Sequence, residues 1–389
     1  MKTGSTASRE KAQPDIRKIT RLVPPNGNLV QGQSELAIDP ALAQAASGMI
    51  AGNQNHYCPA EGIDELRIAV AQKIANFNRV EVDPHATPLE LLITPGATGA
   101  LVAIARTYLK GGSALVFEPY YPYHRRIPDQ LGGYTKVLQL HGEQLELDGD
   151  ELRRQCRDLK TGQHPLRAII VCTPVNPTGK VFTRTELETI AAVCREFDLL
   201  CIADEVYEHY VLAEGRHISI ATLPGMRERT ITVNSFSKSW NISGWRLGYV
   251  YGDGRLIAPL NNVNNVFYVC SPTPLQRALA EVLMSRPAYY RALRERFAGK
   301  RSFAVEVLTS VGFQVYDSGS AFYVWARIPD RFADAMQLNE LLIENGVAGV
   351  PGNAFANSDR FDNYMRFCIA REDEVLRSAL GKLQHTLSQ

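Results

Sequence analysis

One short stretch of the sequence places a lysine among groups that bind phosphate. Ser235 and Ser237 lie beside Lys238, and Arg246 follows eight residues after the lysine, between two glycines. Hydroxyl groups and the planar guanidinium fork of an arginine are good ligands for phosphate. A lysine held among them could form a Schiff base with a phosphorylated aldehyde. The alternative is a polar turn with a solvated lysine and a solvated arginine.

Further polar residues follow apolar runs that are typical of buried strands. Asp204 comes directly after the apolar residues 199–203 and shortly before Tyr207. A buried carboxylate is costly unless it meets a cation, and a protonated pyridine nitrogen would be such a cation. The amide of Asn176 and the hydroxyl of Tyr207 could both donate to a phenolate oxygen. The alternatives are a helix N-cap for Asp204 and a tight turn for Asn176.

Three other motifs contain groups that could complete such a site. Ala97 and Thr98 lie where a predicted strand turns into a helix, and backbone N–H groups at a helix start bind phosphate. Tyr121 could lie against a flat ring. Arg366 lies in the apolar run 364–369 and could hold a substrate carboxylate, or it could lie on an exposed strand face. Each motif is weak evidence when it is taken alone.

Strands and helices alternate through most of the chain. This pattern predicts an α/β fold, with a large domain whose mostly parallel sheet is covered by helices on both faces and a smaller α/β domain. Ligands bind such sheets at the carboxyl ends of the strands, where the polar residues above are found. The predicted strands of the large sheet are residues 89–94, 114–117, 168–172, 199–203 and 231–233, and those elsewhere are 28–33, 313–315, 321–325 and 365–368.

The composition is that of an ordinary globular enzyme. Of the 389 residues 45% are hydrophobic and 21% are charged, and the net charge of +1 gives no reason to expect nucleic acid or a membrane surface as a partner. The seven cysteines are scattered without a Cys-x-x-Cys pair or a zinc-type spacing. We therefore expect no metal site, and we expect a cytoplasmic protein whose cysteines stay reduced.

Taken in order, these motifs resemble those of the pyridoxal-phosphate-dependent class I/II aminotransferases, the aspartate aminotransferase superfamily of fold type I. The resemblance extends from about Leu29 to Leu383. It is carried by Tyr57-x-Pro-x-x-Gly62, Pro95-Gly-Ala-Thr98, Pro119-x-Tyr121-Pro122, Asn176-Pro-Thr-Gly179, Asp204-Glu-Val-Tyr207, Ser235-x-Ser-Lys238 with Gly244-x-Arg246-x-Gly248, and Arg366.

The resemblance implies pyridoxal 5′-phosphate as cofactor and a role for each motif. Lys238 would be the Schiff-base lysine, which moves a proton between the substrate α-carbon and the cofactor. Asp204 would pair with the pyridine nitrogen, and Asn176 and Tyr207 would bind the ring oxygen. Tyr121 would stack on the ring. The phosphate would be held by Ser235, Ser237, Arg246 and the backbone of Ala97 and Thr98, and the substrate carboxylate by Arg366, Gly32 and Asn176.

The resemblance also implies a homodimer and a division into domains. Tyr57 would reach the phosphate bound by the neighbouring subunit, so that the two active sites are shared. The large cofactor-binding domain would comprise residues 51–285. Residues 21–50 and 286–389 would form the small domain, and residues 1–20 would be a flexible N-terminal arm.

The implied activity is the transfer of the amino group of an L-amino acid to a 2-oxo acid by a ping-pong mechanism. The loop of residues 31–36 lacks the proline that this family commonly has there, and Trp240 is bulky beside the lysine. These departures leave room for elimination, replacement or cyclisation on the same cofactor. Residues 261–272 contain no Arg or Lys to serve as a second carboxylate ligand, for which Arg17, Arg21 and Arg125 are candidates.

Overall fold

A seven-stranded sheet forms the centre of the computed structural model, which describes residues 14–212, 215–286, 288–316 and 318–389. The strand order is β1-β7-β6-β5-β4-β2-β3. β7 runs antiparallel to both of its neighbours, and the other pairs are parallel. The strands are β1 (Leu91–Thr94), β2 (Ser113–Glu118), β3 (Tyr134–Gln139), β4 (Leu166–Cys172), β5 (Leu200–Asp204), β6 (Thr230–Ser235) and β7 (Gly248–Gly252). The prediction of a mostly parallel sheet is confirmed.

Successive residues of the central strands enter two different hydrophobic cores. On β4, Ile169 and Val171 pack in one core and Ala168 and Ile170 in the other. Side chains alternate in this way along any strand, so a strand that is apolar throughout must be covered on both faces. The first core is covered by α6 (Gly149–Leu159) and α7 (Arg184–Glu196), and the second by α4 (Gly96–Ile104) and α9 (Gly254–Tyr268).

A second sheet is built mainly from the last third of the chain. It has the order β10-β11-β9-β8 and is antiparallel throughout. Its strands are β8 (Gln314–Val315), β9 (Tyr323–Arg327), β10 (Val350–Pro351) and β11 (Tyr364–Cys368). The remaining helices are α1 (Ile16–Thr20), α2 (Pro40–Ala51), α3 (Asp64–Lys73), α5 (Pro122–Gln130), α8 (Phe236–Ser239), α10 (Thr273–Leu283), α11 (Tyr289–Ser310), α12 (Ala335–Glu344) and α13 (Asp373–Ser388).

The predicted strand at residues 28–33 is wrong. Only Asn28 takes part in a strand-like pair, an isolated bridge to Ala348. The following residues form a loop whose carbonyl groups accept hydrogen bonds mostly from side chains. The apolar pair Leu29 and Val30 is fully buried in that loop, which accounts for its strand-like sequence pattern.

The N-terminal segment is more regular than the predicted flexible arm. Residues 1–13 of that arm lie outside the described residues, but α1 is helical and its Ile19 is buried. Asp15 caps this helix by accepting a hydrogen bond from the backbone N–H of Arg17. Within the described ranges, no helix combines the length and the apolar character that crossing a membrane requires.

Candidate active site

The predicted site residues meet at the carboxyl edge of the large sheet. Asp204 and Ser235 end β5 and β6, and Asn176 follows β4 after a short turn. A cavity of about 740 Å³ lies between this edge and the second sheet. It is lined by every predicted site residue except Tyr57, namely Gly32, Ala97, Thr98, Tyr121, Asn176, Asp204, Tyr207, Ser235, Ser237, Lys238, Arg246 and Arg366.

Lys238 projects into the cavity from the short helix α8. Ser235 caps this helix by accepting a hydrogen bond from the backbone N–H of Ser237. Lys238 Nζ donates to the carbonyl of Gly32 at 2.6 Å. This hydrogen bond connects α8 to the loop of residues 28–33. Burial lowers the pKa of Lys238 from its ordinary 10.5 to about 8, because a charged amine is disfavoured away from water. The amine is therefore partly neutral near physiological pH and able to act as a nucleophile or base.

Donors for an anion surround one end of the cavity. The N-terminus of α4 presents the backbone at Ala97 and Thr98, and the hydroxyls of Ser235 and Ser237 lie 2.8 Å apart beside it. Arg246 closes this end, and its guanidinium donates to the carbonyls of Ser243 and Pro95. A Cβ atom at Gly96 would lie 2.6 Å from Arg246 Nη2, so the backbone can approach the arginine only because this residue is glycine. The arrangement fits a phosphate group.

Asp204 is supported by a histidine that the sequence motifs did not reveal. His124 on α5 is buried, and its Nε2 lies 2.7 Å from Asp204 Oδ2. The other carboxylate oxygen, Oδ1, accepts from the backbone N–H of Val206 at 3.2 Å. The carboxylate is thereby fixed in orientation, with its charge directed into the cavity. His124 follows Tyr121-Pro-Tyr in the sequence, and nothing in that motif distinguishes it from an ordinary core histidine.

Two phenols lie close together on one wall of the cavity. The hydroxyls of Tyr207 and Tyr323 are 2.7 Å apart, and both side chains are buried. Burial raises the pKa of Tyr207 well above its ordinary value, and burial likewise raises the pKa of Tyr323. Both phenols therefore stay protonated and can donate a hydrogen bond. Tyr323 was missed because its strand, β9, has the apolar pattern of a core element.

Arg366 is buried on β11, so the exposed strand face is ruled out. Its Nη1 donates to Asn176 Oδ1 at 2.8 Å and its Nη2 to the carbonyl of Val30 at 2.6 Å. The guanidinium lies over the ring of Tyr323, 4.4 Å from the centroid. Its Nε has no hydrogen-bond partner, and no carboxylate among the described residues forms an ion pair with it. A buried, unpaired guanidinium that lines a cavity is suited to bind a carboxylate.

Two further arginines lie at the mouth of the cavity. Arg17 on α1 donates to the hydroxyl of Tyr123 at 3.2 Å, and Arg126 on α5 lies nearby in the lining. Arg125, in contrast, contacts Asn357 and Asp129.

Tyr57 does not line the cavity and is 84% exposed on the surface of the single chain. The predicted contact of Tyr57 with the phosphate of a neighbouring subunit stays a prediction.

The amino-acid sequence matches a known family. The sequence profile of the family described as aminotransferase class I and II matches residues 26–383. The chain belongs to this family, and it is an enzyme, a transferase that moves amino groups. Members of the family use pyridoxal phosphate.

Individual relatives agree with this family assignment. The chain is 33% identical over 370 residues to a probable N-succinyldiaminopimelate aminotransferase of Mycobacterium tuberculosis, covering 92% of this chain and 91% of the relative. It is 31% identical to mouse kynurenine–oxoglutarate transaminase 3, covering 90% and 83%. The structure of the N-succinyldiaminopimelate aminotransferase from M. tuberculosis superimposes with a TM-score of 0.89 at 32% identity, covering 99% of this chain and all of the other. All are aminotransferases, which does not favour elimination, replacement or cyclisation.

Proposed function

We propose that the cavity binds pyridoxal 5′-phosphate with Lys238 as its covalent anchor, and that the protein passes the amino group of an L-amino acid to a 2-oxo acid in a ping-pong cycle. The observation that carries the proposal is that Lys238 lines the same cavity as the anion-binding donors and as Asp204, whose buried carboxylate pairs with His124. When bound, the cofactor supplies a conjugated ring that takes up the electrons released at the substrate α-carbon. The donors present fit its phosphate and its ring oxygen, and the carboxylate of Asp204 fits its protonated ring nitrogen as an acceptor.

Asp204 is proposed to hold the proton on the pyridine nitrogen. The hydrogen bond from His124 fixes the carboxylate in place, so its negative charge favours the protonated ring. Tyr207 and Asn176 would donate to the ring oxygen. Asn176 Oδ1 already accepts from Arg366, which leaves the amide NH₂ of Asn176 free to donate. Tyr121 would lie against the ring face.

Lys238 Nζ is proposed to carry the proton at the substrate α-carbon. Its lowered pKa keeps the amine close to the operating pH, where a general base is most effective. The substrate carboxylate would pair with Arg366, beside Asn176 and the backbone at Gly32. This arrangement would hold the α-carbon near Lys238, and such positioning is a large part of catalysis.

A homodimer is proposed to complete the phosphate site. Tyr57 is exposed, and so are the apolar side chains of Val266 (81%), Phe267 (52%) and Val269 (46%), which end the helix α9. Exposed apolar side chains in one region are typical of an interaction surface. In the proposed dimer, Tyr57 of each chain donates to the phosphate held by its partner.

The proposal is tested by treating the purified protein with the cofactor and then with borohydride. We expect a visible absorbance band that borohydride abolishes, with the added mass located by peptide mapping on Lys238. Incubation with a panel of amino acids should consume the amino acid only when a 2-oxo acid restores the cofactor. Label on a residue other than Lys238, or sustained turnover without any acceptor, would contradict the proposal.

A further inference from the structure

Six consecutive carbonyl groups of the loop at residues 28–33 accept hydrogen bonds. One of these bonds comes from the backbone of a strand, at the end of β11, and the donors of the other five are side chains. The donors are Arg371 to Asn28, Gln31 and Gln33, the backbone N–H of Cys368 to Leu29, Arg366 to Val30, and Lys238 to Gly32. The shape of this loop is therefore set by three cationic side chains and one amide.

Arg371 makes half of these contacts and lies behind the loop. Its Nε donates to Asn28 O at 2.6 Å, its Nη2 to Gln31 O at 2.9 Å and its Nη1 to Gln33 O at 2.8 Å. The residue is fully buried and does not line the cavity. Since each of the three nitrogens reaches a different carbonyl, one rigid planar group binds three points of the loop.

Among the described residues, one partly exposed carboxylate balances the charge of Arg371. Among the described residues, Glu35 is its ion-pair partner, at 3.4 Å, and the Glu35 side chain is 34% exposed. Burying a guanidinium costs free energy unless its donors are satisfied, and here the loop carbonyls satisfy most of them. An apolar side chain of similar volume would fill this space at a lower cost in desolvation free energy. What the arginine contributes is therefore its hydrogen bonds to the loop carbonyls.

The loop held by Arg371 forms a wall of the amino-acid site at Gly32. A Cβ atom at Gly32 would lie 2.1 Å from the hydroxyl oxygen of Tyr323, so the backbone packs directly against that phenol. The carbonyl of Gly32 accepts from Lys238, and the neighbouring carbonyl of Val30 accepts from Arg366. A small shift of the loop would therefore move the acceptors of both side chains.

We propose that Arg371 is a positioning residue of the amino-acid site, which holds the backbone of residues 28–33 so that Gly32 stays against Tyr323 and Lys238. The inference rests on the proposed function, because it concerns the same cavity. The phosphate donors and the Asp204–His124 pair lie on the large sheet and on the helices and turns beside it, and none of the hydrogen bonds described for them involves Arg371 or the loop. Loss of Arg371 should thus weaken binding of the amino acid while binding of the cofactor persists.

The test compares Arg371→Met and Arg371→Lys with a core variant, Leu380→Ala. Leu380 is buried on α13 in the hydrophobic core that contains Leu29, and it makes no polar contact with the loop. For each holoenzyme, the cofactor absorbance and the thermal midpoint of unfolding are measured. The kcat and KM are measured with the amino acid on which the wild-type protein is most active. The dissociation constant of a carboxylic acid that lacks the amino group is measured as well, because it reports binding without chemistry.

We expect Arg371→Met to raise KM and the dissociation constant of the acid by roughly tenfold or more, with a smaller change in kcat and an unchanged cofactor band. Arg371→Lys should recover part of the loss, since an ammonium group can donate to the carbonyls but cannot span all three. Leu380→Ala should lower the thermal midpoint without raising KM. If Arg371→Met does not fold, Arg371→Lys carries the comparison with the same expected direction.

Two results would overturn the inference. One is an Arg371 variant whose KM and acid dissociation constant stay within about twofold of the wild type. The other is a Leu380→Ala protein whose KM rises as much as that of Arg371→Met, because the effect would then reflect general loosening. Failure of the proposed function looks different: the wild-type protein would show no band that borohydride abolishes.

Discussion

Lys238 shows how one buried side chain acquires its reactivity from its surroundings. Its amine lies away from water among the cationic side chains of Arg366 and Arg246, and burial is the main cause of its lowered pKa. A neutral amine attacks an aldehyde, whereas the ammonium form does not. The rate at which the protein captures its cofactor should therefore follow the titration of this one group.

The capture rate should rise with pH and level off above about pH 8, where Lys238 is deprotonated. It is measured by adding pyridoxal phosphate to the cofactor-free protein at a series of pH values and following the visible absorbance. Lys238→Ala is the control and should show no band that borohydride fixes. A rate that continued to rise up to pH 10 would show that the amine keeps its ordinary pKa.

The pair of Asp204 and His124 leads to a graded prediction. Asp204→Asn removes the charge that is proposed to hold the pyridine proton, and kcat should fall by roughly two orders of magnitude or more. His124→Asn leaves the charge and removes only the bond that orients it, so kcat should fall by about tenfold. Steady-state assays of both variants at saturating cofactor check this order. Equal losses in the two variants, or none in Asp204→Asn, would contradict it.

Local motifs predicted most of the residues that line the cavity, because several of these residues lie at or just after the ends of strands. Asp204 and Ser235 could be placed from the apolar runs before them. His124 and Tyr323 could not, because each acts through a partner that is distant in sequence: His124 through Asp204 and Tyr323 through Tyr207. Hydrogen bonds between distant elements leave no periodic signal in a sequence.

At the scale of elements, the turn after β5 carries side chains that face two different sites. Asp204 and Tyr207 face the cavity, whereas Glu205 and Glu208 face a buried cluster behind it. In that cluster His217 Nε2 lies 3.0 Å from Glu205, and Lys73 forms an ion pair with Glu208. The cluster fixes the turn that carries the two cavity residues.

Glu208 should be a major contributor to stability. Burial alone would raise its pKa, but the charges of Lys73, His209 and His217 and the hydrogen bond from Lys73 together outweigh burial and lower the pKa to about 2. Glu208→Gln leaves Lys73 buried and unpaired, and urea unfolding at pH 7 should show a loss of about 3–5 kcal/mol. The double variant with Lys73→Met should lose less, because no charge then remains unpaired.

The pH dependence of that loss has a defined sign. A carboxylate with a lowered pKa stabilises the fold above its unfolded pKa of about 4.3, and this contribution disappears as the pH falls toward the folded value. The difference in unfolding free energy between wild type and Glu208→Gln should be constant from pH 7 to about pH 5 and shrink below about pH 4. A difference that grows on acidification would contradict the assigned ion pair.

Helices α1 and α5 bring Arg17 and Arg126 to the mouth of the cavity. Neither forms an ion pair with a described residue, so both can attract an anionic substrate. Replacing both by Gln should raise KM several-fold for a 2-oxo acid with a second carboxylate, and less for one without it. The effect should weaken in high salt, because both side chains are exposed. Arg125→Gln is the matched control, and an equal rise there would contradict the prediction.

The elements differed in how well they could be predicted. Strands of the large sheet follow from apolar runs, because both of their faces are buried. The loop of residues 28–33 has a similar apolar run at Leu29 and Val30, which predicts a strand that the structure does not form. Its conformation depends on Arg366 and Arg371, which lie more than 330 residues further along the chain. A local sequence pattern cannot predict contacts over that separation.

At the scale of the whole molecule, the single chain leaves one predicted site residue unused. Tyr57 lies outside the cavity and is exposed together with Val266 and Phe267. A dimer that covers these side chains would bring Tyr57 to a second cavity. The homodimer, the domain boundaries and the cytoplasmic location stay predictions.

The dimer prediction is checked by light scattering, where we expect twice the mass of the 389-residue chain. Val266→Glu with Phe267→Glu should give monomers that bind the cofactor weakly. Tyr57→Phe should leave the dimer intact and weaken cofactor binding by about tenfold or less, the worth of one hydrogen bond to a charged group. A wild-type monomer with full activity would refute the shared site.

The reversed strand β7 has a consequence for the order of folding. β6 and β7 pair from Ser235 opposite Gly248, so the chain leaves the sheet and returns to the same edge within residues 236–247. Closing so short a loop costs little entropy, whereas the parallel pairs need crossovers through whole helices. The segment that carries Lys238 and Arg246 can thus acquire its native pairing before the rest of the sheet is assembled. In pulsed hydrogen exchange, the amides of β6 and β7 should gain protection ahead of those of β2 and β3.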